Sequence, residues 1–308
     1  MTGEFIEGNR RLAVAAGVAM VAITAVQFVA ARFSLRAHLT SADITGLRFA
    51  GAGLVFVPIM WHMGFVKMGA LGWRRAGVLA LLVGFPYPLI INSGLVYAPA
   101  SHAAAVCPAS IVLFSFLLSR VVFRDPIPAA RIVGVVVIIG GLLLFVSPAA
   151  TNKADHLLYG DALFGLSGIM FSAYSVLLRR WSADPLGATA AVAFLSCLPL
   201  PLVHFLAPSG LGAASAIEIG SQIVIQGFLA GAAAIFLYTY AVRQLGPQTA
   251  SLFMPCIPIA TALTGMVVLG EIPMPRQFVA IALMTAGIAL PWLARQSAPA
   301  ARSAAAPR

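Results

Sequence analysis

Ten apolar stretches, each about as long as a bilayer is thick, constrain this chain more than any other feature. They run at about 12–31, 42–61, 76–97, 101–122, 132–148, 160–178, 187–206, 220–241, 247–269 and 277–294. A helical span needs about 20 apolar residues, so ten spans consume about 200 of the 308 residues and leave no room for a folded soluble domain. Composition agrees: 61% of residues are hydrophobic and only 9% charged, whereas a soluble domain carries charge on roughly a quarter of its residues. A water-soluble globule is excluded. The links at Tyr97–Ser101 and Gln244–Pro247 are short enough to predict tight helical hairpins. The first stretch follows Arg10 and Arg11 but exceeds the 7–15 apolar residues of a signal peptide, so it reads as a retained helix.

Net charge is +10. In a membrane protein this excess reports sidedness rather than nucleic-acid binding. With the N-terminus cytoplasmic, that side collects Arg10, Arg11, Lys67, Arg74, Arg75, Arg120, Arg124, Arg131, Arg179, Arg180, Arg243, Arg295, Arg302 and Arg308. The other side holds Arg32, Arg36, Lys153 and Arg276, and Arg48 falls inside a span. The asymmetry of 14 to 4 predicts an even span count with both termini cytoplasmic, in the inner (plasma) membrane. Cys107, Cys197 and Cys256 lie in apolar runs and read as small buried hydrophobes.

The chain repeats itself. Ala103–Leu143 overlays Ala250–Leu290 at a constant offset of 147, matching Pro108 with Pro255, Pro126 with Pro273, Pro128 with Pro275 and Gly140 with Gly287. At an offset of 148, Gly17 falls on Gly165, Ala25 on Ala173 and Arg32 on Arg180. The expected organisation is a cytoplasmic N-terminus (1–11), a first five-helix repeat (12–148), an external linker (149–159), a second repeat (160–294) and a disordered cytoplasmic tail (295–308). Five is odd, so the second copy enters the membrane upside down. The fold class is therefore an all-α membrane protein of ten transmembrane helices in two inverted five-helix repeats, the architecture of secondary transporters.

Several segments match a known pattern. Gly17-Val-Ala-Met-Val-Ala-Ile-Thr-Ala in helix 1 is echoed by Gly165-Leu-Ser-Gly-Ile-Met-Phe-Ser-Ala in helix 6, and helix 2 carries Leu47-Arg48-Phe49. The hairpin Tyr97-Ala-Pro-Ala-Ser-His-Ala-Ala-Ala leads to Pro108, and Leu245-Gly-Pro-Gln-Thr-Ala-Ser-Leu leads to Pro255, with Gly270-Glu271 beyond. Over nearly its whole length the chain resembles the EamA-type members of the drug/metabolite transporter superfamily. That resemblance implies a carrier of small metabolites or drugs, usually outward, through a cavity between helices 1, 3, 4, 6, 8 and 9. The acidic residue that often follows each hairpin helix in that family is kept as Glu271 but replaced by Arg124 in the first half.

Polar side chains in hydrocarbon are costly unless they face a partner or a watery cavity, so those near mid-span are the candidates for a solute path. Helices 1 and 6 offer Thr24, Gln27, Ser172, Tyr174 and Ser175. Helices 3 and 8 offer Asn92, Ser93, Tyr97, Tyr238, Thr239 and Tyr240; helices 4 and 9 offer Ser101, His102, Ser110, Thr249, Ser251 and Thr261. Gln27 and Asn92 rank first because they cost most unpartnered. Any single Ser or Thr can simply bond its own i−4 carbonyl. Pro86, Pro88, Pro108 and Pro255 remove intrahelical hydrogen bonds and are candidate hinges or cavity shapers. Arg48 either greets an anionic substrate or, the favoured placement, snorkels towards Asp43 at the mouth of its helix. His102 is expected hydrated at the outer surface. Gly227-Phe-Leu-Ala-Gly231 is a GxxxG pattern, a weak signal among 28 glycines.

No Asp or Glu falls at mid-span, no nucleotide-binding loop is present, and no catalytic, cofactor or metal set is seen. The expected partners are a small-molecule substrate and the lipid bilayer, without nucleic acid, and a homodimer is left open. An intramembrane enzyme would need a constellation such as Cys107 with His102, but residues five apart share a helix face poorly. A membrane scaffold is the other alternative, and such short loops give it little docking surface.

Overall fold

A computed structural model describes residues 2–65, 68, 70–124, 129–146, 154–245, 250, 253, 254 and 256–296, with all side chains there except those of 2–9, 131, 146, 154, 243 and 291–296. Among the described residues the regular elements are helical and none is a strand. This suits a bilayer, where a helix satisfies its own backbone polar groups. The first half holds α1 (Thr2–Ala37), α2 (Ser41–Met63), α3 (Trp73–Val83), α4 (Pro86–Tyr97), α5 (Ala100–Phe123) and α6 (Ala129–Val146). The second holds α7 (Ala154–Arg180), α8 (Pro185–Cys197), α9 (Leu200–Leu206), α10 (Ala216–Gln222), a π-helical stretch (Ile223–Ala233), α11 (Ala234–Leu245), α12 (Cys256–Leu269) and α13 (Pro275–Gln296).

Among the described residues, seven helical stretches are long and apolar enough to cross a membrane: Arg10–Ala37, Ser41–Met63, Trp73–Tyr97, Ala100–Phe123, Asp155–Arg180, Pro185–Leu206 and Ala216–Val242. Ile132–Phe145, Cys256–Leu269 and Pro275–Leu290 are shorter apolar helices. Exposed side chains such as Val121, Phe205 and Val267 give the bundle an apolar outer surface. A soluble monomer does not carry such a surface; hydrocarbon solvates it.

Local chemistry explains the element ends. Thr40 and Asp43 form a reciprocal capping box at the start of α2, Asp184 caps α8 through the Gly187 N–H, and Ser215 caps α10 through the Glu218 N–H. Several of the ten apolar stretches are not single α-helices. The third is broken at Gly84–Phe85, where Pro86 opens α4 and the Ser196 hydroxyl from α8 accepts the freed Phe85 N–H at 3.1 Å. The seventh is interrupted at Leu198–Pro199, and the eighth winds as a π-helix over 11 residues. The first helix also begins at Thr2 and runs to Ala37, past both expected ends. The Gln244–Pro247 hairpin and the predicted disordered tail fall largely outside the described residues.

The packing maps onto itself when the halves are exchanged. α5 on α7 is matched by α12 on α1, α4 on α7 by α11 on α1, and α2 on the π-helical stretch by α8 on α3. The pairs α6–α13, α2–α8 and α5–α12 each map onto themselves. Close approach comes from glycine: a Cβ on Gly227 would lie 2.6 Å from the Gly51 Cα, so the GxxxG pattern seats the π-helical stretch against the backbone of α2.

One face of the bundle carries the links 38–40, 98–99, 207–215 and 270–274, and we call it the distal face; the opposite, proximal face carries 64–72 and 181–184. Polar contacts lace the distal face. Glu271 accepts from Arg32 Nε at 3.1 Å, from Arg36 at 2.5 Å and from the Ala100 N–H at 3.1 Å. Arg32 also donates to the carbonyls of Leu95 and Val96 that end α4. Asp43 accepts from Ser209 and from the Gly210 N–H, which pins the α9–α10 link to α2. On the proximal face Arg75 lies over the Trp181 ring and Arg179 over the Phe123 ring, and the Phe65 and Phe194 rings are 4.9 Å apart.

Candidate functional site

Arg48 lies at the middle of the bundle, on the wall shared by two cavities of about 180 and 290 Å³. It does not snorkel towards Asp43. That carboxylate is occupied by Thr40, Ser209 and Gly210, whereas Arg48 Nη1 donates inward to Gln27 Oε1 at 3.0 Å and Gln226 Oε1 at 3.4 Å. The Gln226 amide nitrogen in turn donates to the Gln27 carbonyl at 2.8 Å, so α1, α2 and the π-helical stretch meet in one polar knot. Both acceptors are neutral amides, and no carboxylate pairs with Arg48 among the described residues. A cation at such depth costs several kcal/mol unless something compensates it, and a neutral acceptor compensates less than an anion does.

The smaller cavity is lined by Gln27, Pro88, Asn92 and Gln226, with apolar walls from Phe28, Ala31 and Ile91. Asn92 donates to Thr45 Oγ1 at 3.0 Å, so its amide is held in place. The larger cavity extends from Arg48 towards the proximal face, past Phe49, Phe56, Tyr174, Thr189 and Val192. Tyr87 and Phe171 belong to both linings, their rings 5.8 Å apart. Together these residues make a cationic and amide-bearing centre between aromatic walls, a lining that can take a polar head group and an apolar side chain.

Of the residues singled out from sequence, Gln27, Asn92, Tyr174, Pro88 and Arg48 converge on this centre. The others among the described residues line neither cavity. Thr24, Ser175 and Thr239 bond their own i−4 carbonyls, of Met20, Phe171 and Ile235. Ser172 bridges the Gly168 and Ile111 carbonyls and so stitches α7 to α5. Tyr97 is 41% exposed at the distal end, edge-on to Tyr159. Tyr238 packs against Met20, Val21, Ala104 and Ile257. Pro86 opens α4 at the break, and Pro108 sits within an unbroken α5. Pro255, Thr249 and Ser251 lie outside the described residues.

Two further expectations are corrected. His102 is 1% exposed rather than hydrated, held between Asp161 and Gln277 against the Phe145 ring. Of the cysteines, Cys107 is buried, Cys197 is partly so, and Cys256 is exposed on the apolar surface. The Cys107 thiol contacts Ser167, so it forms no couple with His102. Among the described residues no group of three His, Cys, Asp or Glu could hold a metal.

Sequence reasoning passed over Gln226, Tyr87, Phe171 and Thr189. Gln226 had a signal: with Gln222 it places two amides four residues apart in an apolar run, at the same expense that ranked Gln27. The three others look like ordinary span residues until the helices are packed.

A membrane-type helical bundle with a polar centre and facing halves is the build of a solute carrier. Comparison with known proteins makes this specific: the EamA-like transporter family matches twice, over residues 11–147 and 158–292, and the chain belongs to that family. It is 25% identical over 251 residues to an uncharacterized transporter of Archaeoglobus fulgidus, covering 79% of this chain and 85% of the relative. It is 27% identical over 282 residues to a probable terminal-alkyne amino-acid exporter of Streptantibioticus cattleyicolor, covering 87% and 90%. A chain in a crystal structure superposes with a TM-score of 0.64 at 20% identity, covering 92% of this chain and 98% of that one, a likeness of fold.

Proposed function

We propose that this transporter carries small metabolites with a carboxylate, amino-acid-like in kind, out of the cell by alternating access. The observation behind this reading is Arg48, a cation in the central cavity whose protein partners are two neutral amides. A carboxylate supplied by the solute would complete its coordination, Gln27, Gln226 and Asn92 would take the remaining polar groups, and Tyr87, Phe171 and Tyr174 would receive the side chain. The amino-acid exporter among its relatives supports the same solute class.

The working topology is ten spans in two inverted five-helix units in the inner membrane, with both termini cytoplasmic. The exchange symmetry of the packing and the 14 to 4 sorting of Arg and Lys support it. The distal face is then external. With that face laced shut and the larger cavity reaching towards the proximal face, the conformation is inward-facing and ready to load a solute for export.

Purified protein in liposomes tests the reading. Counterflow of labelled amino acids should exceed that of nucleosides and hydrophobic cations, and Arg48→Gln should raise the KM for the carboxylate solute about 10- to 100-fold, the worth of one charged hydrogen-bond pair. Equal flux of cations and carboxylates, or an unchanged KM in a folded Arg48→Gln protein, refutes it.

A further inference from the structure

A second buried polar centre stands apart from the Arg48 cavity. His102 on α5 and Asp161 on α7 approach to 2.8 Å (Nδ1 to Oδ1), with side chains 2% and 3% exposed. On the other side of the ring, His102 Nε2 lies 2.8 Å from the Gln277 amide nitrogen of α13. The orientation of that amide is set by its other end: Gln277 Oε1 accepts the Met274 backbone N–H at 2.8 Å. Gln277 therefore donates, and Nε2 must accept. The imidazole is neutral, with its proton on Nδ1 and shared with Asp161.

This assignment leaves the carboxyl unbalanced. Asp161 Oδ2 is buried without a hydrogen-bond partner, and its ion-pair contact among the described residues is His102 alone. Among the described residues no ionisable side chain but His102 is in ion-pair contact with Asp161, although the carboxylate also acts electrostatically on the Cys107 thiol of α5. Glu271, in the α12–α13 link, is saturated by Arg32 and Arg36 of α1 and by the Ala100 N–H. Cys107 of α5 bonds Ser167, and His156 of α7 stacks on Tyr97 of α4. Arg276 of α13 makes no ion pair with Asp161 and its Nε is buried without a hydrogen-bond partner, and α6 presents the ring of Phe145. Beside a neutral imidazole, a buried bare carboxylate costs far more than a buried hydroxyl.

We propose that the His102–Asp161 couple is a proton-binding site linked to the distal gate. In the closed state one proton sits on Nδ1 and a second on Oδ2, so the couple is uncharged. When the distal ends of α5, α7 and α13 part, water reaches the carboxyl, the Oδ2 proton passes to that water, and the hydrated carboxylate is left. Closure takes one proton back from the distal compartment. Acid on the distal side therefore favours the closed state and alkali the open one. The inference rests on the alternating-access reading and adds proton linkage to it.

The test uses full-length protein in proteoliposomes, with its three cysteines replaced by serine and Ala31→Cys added in the smaller cavity. A membrane-impermeant thiol reagent is applied from the distal side between about pH 5.5 and pH 8. Asp161→Asn keeps the couple uncharged at every pH, so its labelling should follow only the titration of the thiol. The parent should gain at least about fivefold more over that range. Identical pH profiles in the two backgrounds overturn the proposal. A second measurement stands even where Asp161→Asn fails to fold: the closed protein should show the infrared carbonyl band of a protonated carboxylic acid, lost as pH rises, and its absence overturns the proposal too. Solute counterflow at one fixed pH keeps this outcome separate from the carrier reading.

Discussion

Neutralising Glu271 should unlock the distal face. Its carboxylate is only 10% exposed and gathers donors from three places: Arg32 at 3.1 Å with 12% of its side chain exposed, Arg36 at 2.5 Å with 43% exposed, and the N–H that opens α5. Glu271→Gln keeps the shape but removes the charge. The Arg32 contact, being mostly buried, is worth about 1.5–3 kcal/mol as a charge-assisted hydrogen bond. The Arg36 contact, screened by solvent, adds at most about 0.5 kcal/mol. A total near 2–3 kcal/mol corresponds to a roughly 30- to 150-fold shift towards the distally open state. The assay is distal labelling of Ala31→Cys at fixed pH in the cysteine-free background, where the rate should rise by that factor while the open state stays minor. A rate within twofold or so of the parent, from protein that elutes as a folded species, would show that Glu271 is packing and not a lock.

Other changes should behave in graded ways. Gln226→Leu removes one acceptor from Arg48 and the bond to the Gln27 carbonyl, so solute KM should rise by about 1–3 kcal/mol equivalent in a counterflow titration, with expression retained. Gly227→Ala drives a methyl against the Gly51 backbone, and thermal unfolding in detergent should report about 1–3 kcal/mol of lost stability. Thr24→Ala and Ser175→Ala each delete a hydroxyl that bonds its own helix, so flux and thermal stability should both stay near parental values.

How far the residues alone reached varies with the kind of claim. Gln27, Asn92 and Arg48 could be picked out because an amide or a guanidinium in hydrocarbon needs a reason, whatever the packing. The hydroxyls could not be sorted that way. Thr24 and Tyr174 look equally plausible in a span, but a threonine satisfies itself through the i−4 carbonyl while a tyrosine must reach beyond its helix. Arg48 stands out in the sequence, but its direction does not follow from it. Asp43 five residues away seemed the natural partner, but the capping box and the Ser209–Gly210 segment had already occupied it.

The sequence by itself determined the class of the protein, its apolar stretches, its internal repeat and the sorting of its charges. These depend on hydrophobicity and spacing, which are properties of the chain before it packs. Only the tertiary structure decided that α1, α2 and the π-helical stretch bring Gln27, Arg48 and Gln226 together, and that His102 is sealed against an aspartate and a glutamine from other helices. Those partners lie 21 to 178 residues apart along the chain. The rotation of each helix about its own axis selects which polar groups meet, and that rotation is set by packing against neighbours such as Gly51 on Gly227.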